Sequence, residues 1–438
     1  MVIRAFSVSF FTEDIEKEGD DMDTWEQISA PLGIFGKIRK LAGELGPELT
    51  EIRRELHQYP ELGLELPKTH EIISRKLHEI PGLQVQEHRA GGSGIVAVMK
   101  GGRKEGGTVL LRADIDGLPI EEKGDWGYKS KNPGCMHACG HDGHAAWMIG
   151  AAKILSQIRG EWGGCVKFVF QPGEEVGKGA DILIGEDRVL EEPSVDMAFA
   201  AHGWPSIESG KIGIARRYAF GCVGSFRVKI MGKKGHASWP EQTVDPIAAA
   251  SEVYQHIPAI LARKISGTAS KVMSVTYMQA GDPKVRNIIP ASCEFGGTMR
   301  ATKRETLEMM GRELKKEAEA VCAVYGASCE VEAQTHGGAV ENAPELLEGV
   351  RRAAEQVLGP NQAYVIEEDH LGGENFAEYS ARVPSVYLFI GIRPRDQAEV
   401  PGLHSPEYRF DDRALAGAAG TFAAIAYCGC MGNWTDVL

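Results

Sequence analysis

No run of about 18 consecutive apolar residues occurs in the sequence, and a membrane-spanning helix is excluded on that ground. Positive charge is also scarce. The chain has 48 basic residues against 61 acidic ones, a formal net charge of −13, and no Lys/Arg cluster, so a surface that reads nucleic acid is not expected. A secretory signal is not expected at residues 2–18 either: the apolar stretch from Val2 to Phe11 is broken by Arg4 and runs into Glu13, Asp14, Glu16 and Glu18 instead of a small-residue cleavage site. Residues 1–26, with eight acids and two bases, read as an acidic tail. Nine cysteines, odd in number and scattered, do not make a disulfide framework, which predicts reduced thiols and a cytoplasmic location. There is no internal repeat and no low-complexity tract.

What is present is an ordinary globular composition, 43% hydrophobic and 25% charged over 438 residues, enough for two or three domains. Glycine is abundant at 53 residues, above the usual ~7%. Leu49, Ile52 and Leu56, then Ile72, Ile73 and Leu77, recur at helical intervals and predict two amphipathic helices. Buried strands are expected at 94–99, 108–112 and 165–170, with a helix over 145–158, which implies an α/β layer with a mainly parallel sheet. After Gly210 the rhythm changes. Strands at 226–231, 271–277, 293–299 and 328–333 and helices at 245–261 and 305–325 follow the β-α-β-β-α-β order of a ferredoxin-like α+β unit. We therefore expect a block at 213–336 inserted into a body formed by 27–212 and 337–438.

Chemistry-bearing residues concentrate in His137-Ala138-Cys139-Gly140-His141-Asp142-Gly143-His144. Three imidazoles, a thiol and a carboxylate among small residues suit a transition-metal site of mixed N, S and O donors, with Cys139 and His141 the favoured pair. The competing explanation is a glycine-rich turn whose histidines are solvated or cap the following helix. Glu174 and Glu175 follow the strand at 165–170, where one carboxylate can bind a metal while its neighbour accepts a proton from water. Such a pair is otherwise a solvated helix start. His202 follows an apolar run, and a lone histidine there is more often part of a core. His404 lies in a turn, the loop from Gly372 to Phe376 is polar, and His236, Asn287 and Arg300 mark turns and a strand end in the inserted block.

The order of these pieces, from Arg53-Arg54-Glu55-Leu56-His57 and Pro60-Glu61-Leu62-Gly63 through Arg112-Ala113-Asp114-Ile115-Asp116-Gly117-Leu118-Pro119 and the Met136–His144 string to Leu403-His404, resembles the M20 metallopeptidase family. The resemblance is to its amidohydrolase branch, which includes hippurate, auxin-conjugate and aminobenzoyl-glutamate hydrolases. It implies a metallopeptidase-like catalytic domain with two divalent metal ions (Mn, Zn, Co or Ni) and an inserted lid that also forms a homodimer surface. Carried over, Cys139, His141, Glu175, His202 and His404 are the metal ligands and Glu174 the general base. Asp114 holds a histidine in its binding tautomer from behind the ligands. His236, Asn287 and Arg300 contact substrate, with a lid histidine supplied across the dimer. Asn375 stands where the family usually carries an acid, and residues 216–222 depart from the usual lid entry.

The implied reaction is attack of a metal-activated water on a C–N bond of a small carboxylate-bearing substrate, foremost the amide of an N-acyl amino acid or aromatic acyl conjugate. An alternative is release of ammonia from an electron-poor aromatic amine such as 5-nitroanthranilate, as in a related aminohydrolase. A non-enzymatic binding protein would have lost the base or several ligands, and neither loss has occurred.

Overall fold

The computed structural model describes residues 33–432 and 434, and the acidic tail expected at 1–26 lies outside the described residues. An eight-stranded sheet organises the body. In spatial order its strands are Leu83–Arg89, Gly94–Lys100, Gly163–Gln171, Arg103–Asp114, Met197–Glu208, Ser385–Arg393, Ile212–Ala215 and Ala363–Ile366. The central run from Gly163–Gln171 to Ser385–Arg393 is parallel throughout, and antiparallel pairs appear toward the two edges.

Alternation along these strands supplies two cores. In Arg103–Asp114, Val109, Leu111 and Ala113 face one side and Leu110 the other. The first side is covered by the helices Ile34–His57, His141–Gln157, Pro344–Leu358 and Ala414–Met431. The last of these corrects an expectation. It has a mean hydropathy of 1.5 over 18 residues, so by length and composition one helix is apolar enough to cross a membrane after all. Its hydrophobicity comes from Ala, Cys and Phe interspersed with glycine, which escapes a search for unbroken apolar runs. In the fold 78% of it is buried, packed against the neighbouring helices and the sheet.

The segment from Cys222 to Gly337 builds a second sheet in the order Lys271–Ala280, Ser292–Ala301, Cys222–Met231, Ser328–Gly337, antiparallel at each pairing. The helices Pro246–Arg263 and Arg304–Tyr325 complete it around a core of its own. Asp245 caps the first helix, its side chain accepting from Ile247 N at 2.8 Å, with Pro246 at the first helical position. None of the nine cysteines is joined in a disulfide.

Candidate metal centre

Parallel strands of an α/β sheet deliver their ligand-binding groups at their C-terminal ends. Three adjacent strands do so here: Arg103–Asp114 ends at Asp114 and leads to Asp116, Gly163–Gln171 leads to Glu174 and Glu175, and Met197–Glu208 carries His202. Cys139 and His141 arrive on the loop that turns into the helix His141–Gln157 through Gly140, whose φ of +89° lies in the left-handed region. His404 also adopts a left-handed backbone, φ +62°, unusual for a side chain of its size, and its N–H donates to Ala138 O at 2.9 Å.

The five side chains predicted as ligands converge. Cys139 Sγ lies 3.2 Å from His202 Nε2 and 3.3 Å from His404 Nε2, and His404 Nε2 is 3.5 Å from Glu175 Oε1. Cys139, His141 and His202 offer donor atoms within 4.8 Å of one another, as do Cys139, Glu175 and His404, so two triads share one sulfur. The donors fit a divalent transition-metal pair. Both ring nitrogens of His141 and Glu175 Oε1 are buried without a hydrogen-bond partner, a costly state that metal ligation would relieve. His202 Nδ1–H donates to Gly203 O at 2.9 Å, which leaves Nε2 unprotonated toward Cys139, and burial pushes the imidazole down to about 3. Burial drives the Cys139 thiol far up in the absence of a cation, so a thiolate there needs a metal partner. Glu175 is held below the usual carboxylate range because His404 and His141 outweigh the effect of its burial.

Glu174 adjoins this set, with a carboxylate oxygen within 4.8 Å of donor atoms of His141 and Glu175. Burial, then the neighbouring charge of Glu374, raises its carboxyl well above the usual range. Its Oε1 accepts from Asn375 N at 3.3 Å.

Sequence reasoning missed several contributors. Asp116 accepts from the backbone N–H of both Glu174 (3.2 Å) and Glu175 (3.1 Å) and faces His141 Nδ1 at 3.3 Å, so one carboxylate positions the pair and a predicted ligand. The histidine that Asp114 holds is His144, through Nδ1, while Gly203 N donates to His144 Nε2 at 2.9 Å. With both nitrogens engaged, His144 has no lone pair to spare for a metal. Arg112, 1% exposed, donates to Asp114 (2.7 Å), Glu374 (3.0 Å) and Asn375 Oδ1 (2.7 Å). The signal for Asp116 was its place two residues beyond Asp114 at the same strand end. Arg112 and Glu374 gave no comparable signal, because they are paired across 262 residues.

A cleft of about 430 Å³ opens over Glu174 and Glu175, closed on the far side by Val223, Arg300 and His336 of the second sheet. Arg300 is thus brought to the site. His236 and Asn287 are not among its lining residues. They meet on a two-stranded ribbon, where Ala237 N donates to Asn287 O at 2.9 Å and the exposed His236 ring lies against Trp239. Asn375 Oδ1 accepts from Arg112 and from Gln171 Nε2 (2.8 Å), leaving its buried Nδ2 without a partner at the cleft.

Residues 110–427 match peptidase family M20/M25/M40. Among curated proteins, N-acetylcysteine deacetylase of Bacillus subtilis is 35% identical over 86% of this chain and 96% of its own length. IAA-amino acid hydrolase ILR1-like 2 of Arabidopsis thaliana is 31% identical over 91% of this chain and 88% of its own. Among solved structures, the YXEP protein of Bacillus subtilis, described as a dinuclear metal binding peptidase from the M20 family, superposes with a TM-score of 0.74 at 31% identity, covering 88% of this chain and 98% of that one.

Proposed function

The chain belongs to peptidase family M20/M25/M40, and from that premise we propose that this hydrolase cleaves the amide bond of an N-acyl amino acid or aromatic acyl conjugate, releasing a carboxylate and an amine. The observation that carries the reading is the convergence of Cys139, His141, Glu175, His202 and His404, with orphaned buried donors, beside a carboxyl of raised proton affinity at Glu174. The similarity to a named deacetylase and a named IAA-amino acid hydrolase supports the same substrate class.

Cys139, His141, Glu175, His202 and His404 would hold two divalent ions, of the Mn, Zn, Co or Ni class that accepts mixed N, O and S donors. When bound, these ions supply Lewis acidity to the scissile carbonyl and to water. Glu174 takes the proton of the attacking water as the new C–O bond forms, and returns it to the leaving nitrogen as the C–N bond breaks. Asp116 keeps Glu174 and Glu175 in register through their backbone N–H groups. Arg300 receives the substrate carboxylate across the cleft, and Asn375 Nδ2 donates to a substrate oxygen, the task for which a carboxamide serves and an acid does not.

The block at 213–336 acts as lid and as the surface for a second copy of the chain. Its edge strand Lys271–Ala280 exposes Val272, Tyr277 and Met278, and Ile247 and Tyr254 are exposed on the adjoining helix, which supports a homodimer. His236 and Asn287, absent from the cleft lining of one chain, then reach the site of the other. Sedimentation velocity tests this, with a monomer at micromolar concentration as the refuting result.

The central test is turnover of N-acetyl, benzoyl and indolyl-acyl amino acids by metal-loaded protein, with chelation abolishing it. Glu174→Gln lowers kcat by about 10²–10⁴-fold with metal content unchanged. Full activity in that variant, or release of ammonia from a nitro-substituted aminobenzoate with no amide turnover, overturns the reading.

A further inference from the structure

A second group of metal-ligand side chains sits at the outer edge of the large sheet. The helix Pro67–His78 carries His70, 9% exposed, opposite the edge strand Leu83–Arg89. That strand loses register with its neighbour between Gln86 and Arg89, and His88 within the irregularity takes a φ of +56°. Bulges of this kind re-aim a side chain. Here the result is that the His88 ring stacks on His70, with centroids 4.8 Å apart and planes inclined by 16°.

Both rings are oriented from behind by main-chain carbonyls. His70 Nδ1 donates to Ser93 O at 3.1 Å and His88 Nδ1 donates to Gly92 O at 3.0 Å. A carbonyl oxygen only accepts, so each Nδ1 carries a proton. In a neutral ring held this way the lone pair is on Nε2. An Nδ1–H bonded to a main-chain carbonyl is the support that metal-ligating histidines ordinarily have. Glu87 adds an oxygen. Its carboxylate is fixed by the hydroxyl of Ser74, one helical turn after His70, and that bond holds it below the usual carboxylate range. One ring nitrogen each of His70 and His88 and a carboxylate oxygen of Glu87 lie within 4.8 Å of one another. Tetrahedral ligands about 2.0–2.1 Å from a zinc ion stand roughly 3.4 Å apart, so small rotations of the exposed His88 and of Glu87 close the set onto an ion. His78 also approaches Glu87, at 3.9 Å, but its Nδ1 already faces Ser74 O at 2.9 Å.

We propose that His70, Glu87 and His88 form a binding site for a divalent transition-metal ion of the Zn²⁺ class, separate from the Cys139 cluster, with water filling the remaining position. Two imidazoles and a carboxylate suit Zn²⁺, Cu²⁺ and Ni²⁺ and discriminate against Ca²⁺ and Mg²⁺. The ion ties a surface helix to the sheet's exposed edge and stabilises the folded chain by mass action. Catalysis does not require it.

The experiment is equilibrium dialysis of the full chain at fixed, buffered free Zn²⁺, with bound metal counted by elemental analysis. His88→Asn, chosen because asparagine tolerates the left-handed backbone, and Glu87→Gln, which leaves the backbone alone, are compared with wild type. Each variant is expected to bind one equivalent less, or to bind that equivalent at least about tenfold more weakly, and to lose part of the Zn²⁺-induced rise in Tm. Near-ultraviolet circular dichroism and the remaining bound metal stay as in wild type. Superimposable isotherms for wild type and Glu87→Gln overturn the proposal whatever His88→Asn does.

Discussion

Replacing Arg112 by methionine removes a buried cation that serves two carboxylates at once. In the native chain its guanidinium reaches Asp114 at 2.7 Å, Glu374 at 3.0 and 3.2 Å, Asn375 at 2.7 Å and Gln171 at 3.3 Å. Deleting one partner of a buried ion pair costs about 3–5 kcal/mol, and the upper part of that range applies because two carboxylates are left behind. Either can escape by taking up a proton. Keeping a carboxyl of ordinary pKa near 4.3 protonated at pH 7.5 costs about 1.4 kcal/mol per pH unit, roughly 4.4 kcal/mol, which bounds the penalty from each.

The sign of the pH dependence follows from proton counting. The folded variant binds a proton that its unfolded chain releases, so its stability rises as pH falls from 7.5 toward the ordinary carboxyl range. The deficit relative to wild type should therefore shrink by about 2.7 kcal/mol between pH 7.5 and 5.5 if one proton is taken up. Urea unfolding of chelator-treated protein, followed by the fluorescence of the fully buried Trp147 and Trp162, measures it. Adding Glu374→Gln to the variant should return about 1–3 kcal/mol, since one stranded charge disappears. A deficit below about 1 kcal/mol, or one that does not change with pH, would refute the reasoning.

Three further outcomes can be checked with the same protein. Cys139→Ser, which removes the sulfur common to both triads, should weaken metal binding by more than the ~10–100-fold typical of losing an outer partner, read by competition with a chromophoric chelator. Gly140→Ala forces a side chain into a left-handed backbone and against the Tyr408 hydroxyl; a loss of at least about 1–2 kcal/mol is expected, with metal affinity falling as Cys139 and His141 shift. His57 is raised: burial opposes its charge, but Asp142 at 2.8 Å and Glu122 at 3.1 Å prevail. A raised imidazole contributes fully below about pH 6.5 and loses that contribution as pH climbs through its folded value, so His57→Gln should destabilise by about 1.5–3 kcal/mol at pH 6 and less at pH 8.5. Equal deficits at the two pH values would contradict that assignment.

Much of the architecture was legible because local and tertiary preferences agree. The strand expected at 94–99 is found at Gly94–Lys100, and the Asp245-Pro246 start of a helix is a cap followed by a first-turn proline. The first helix was harder. It begins at Ile34, not near Leu49, and runs through Pro47 and three glycines, because packing of Ile38 and Ala42 against the helix Ala414–Met431 overrides weak local propensity. The same division holds at the site. Cys139, His141 and Glu174 announce themselves by density or adjacency, whereas the work of Asp116, His144 and Arg112 depends on which strand ends become neighbours, and no spacing along the chain encodes that.

The shared sulfur of Cys139 and the His404 imidazole are separated by 265 positions. During synthesis, a ribosome that has exposed Cys139 and His202 still has nearly half of the polypeptide to make before the last donor emerges. On the ligand set proposed above, a chain cut short before residue 404 would lack one of the five donors and would hold its cations less tightly than the full chain.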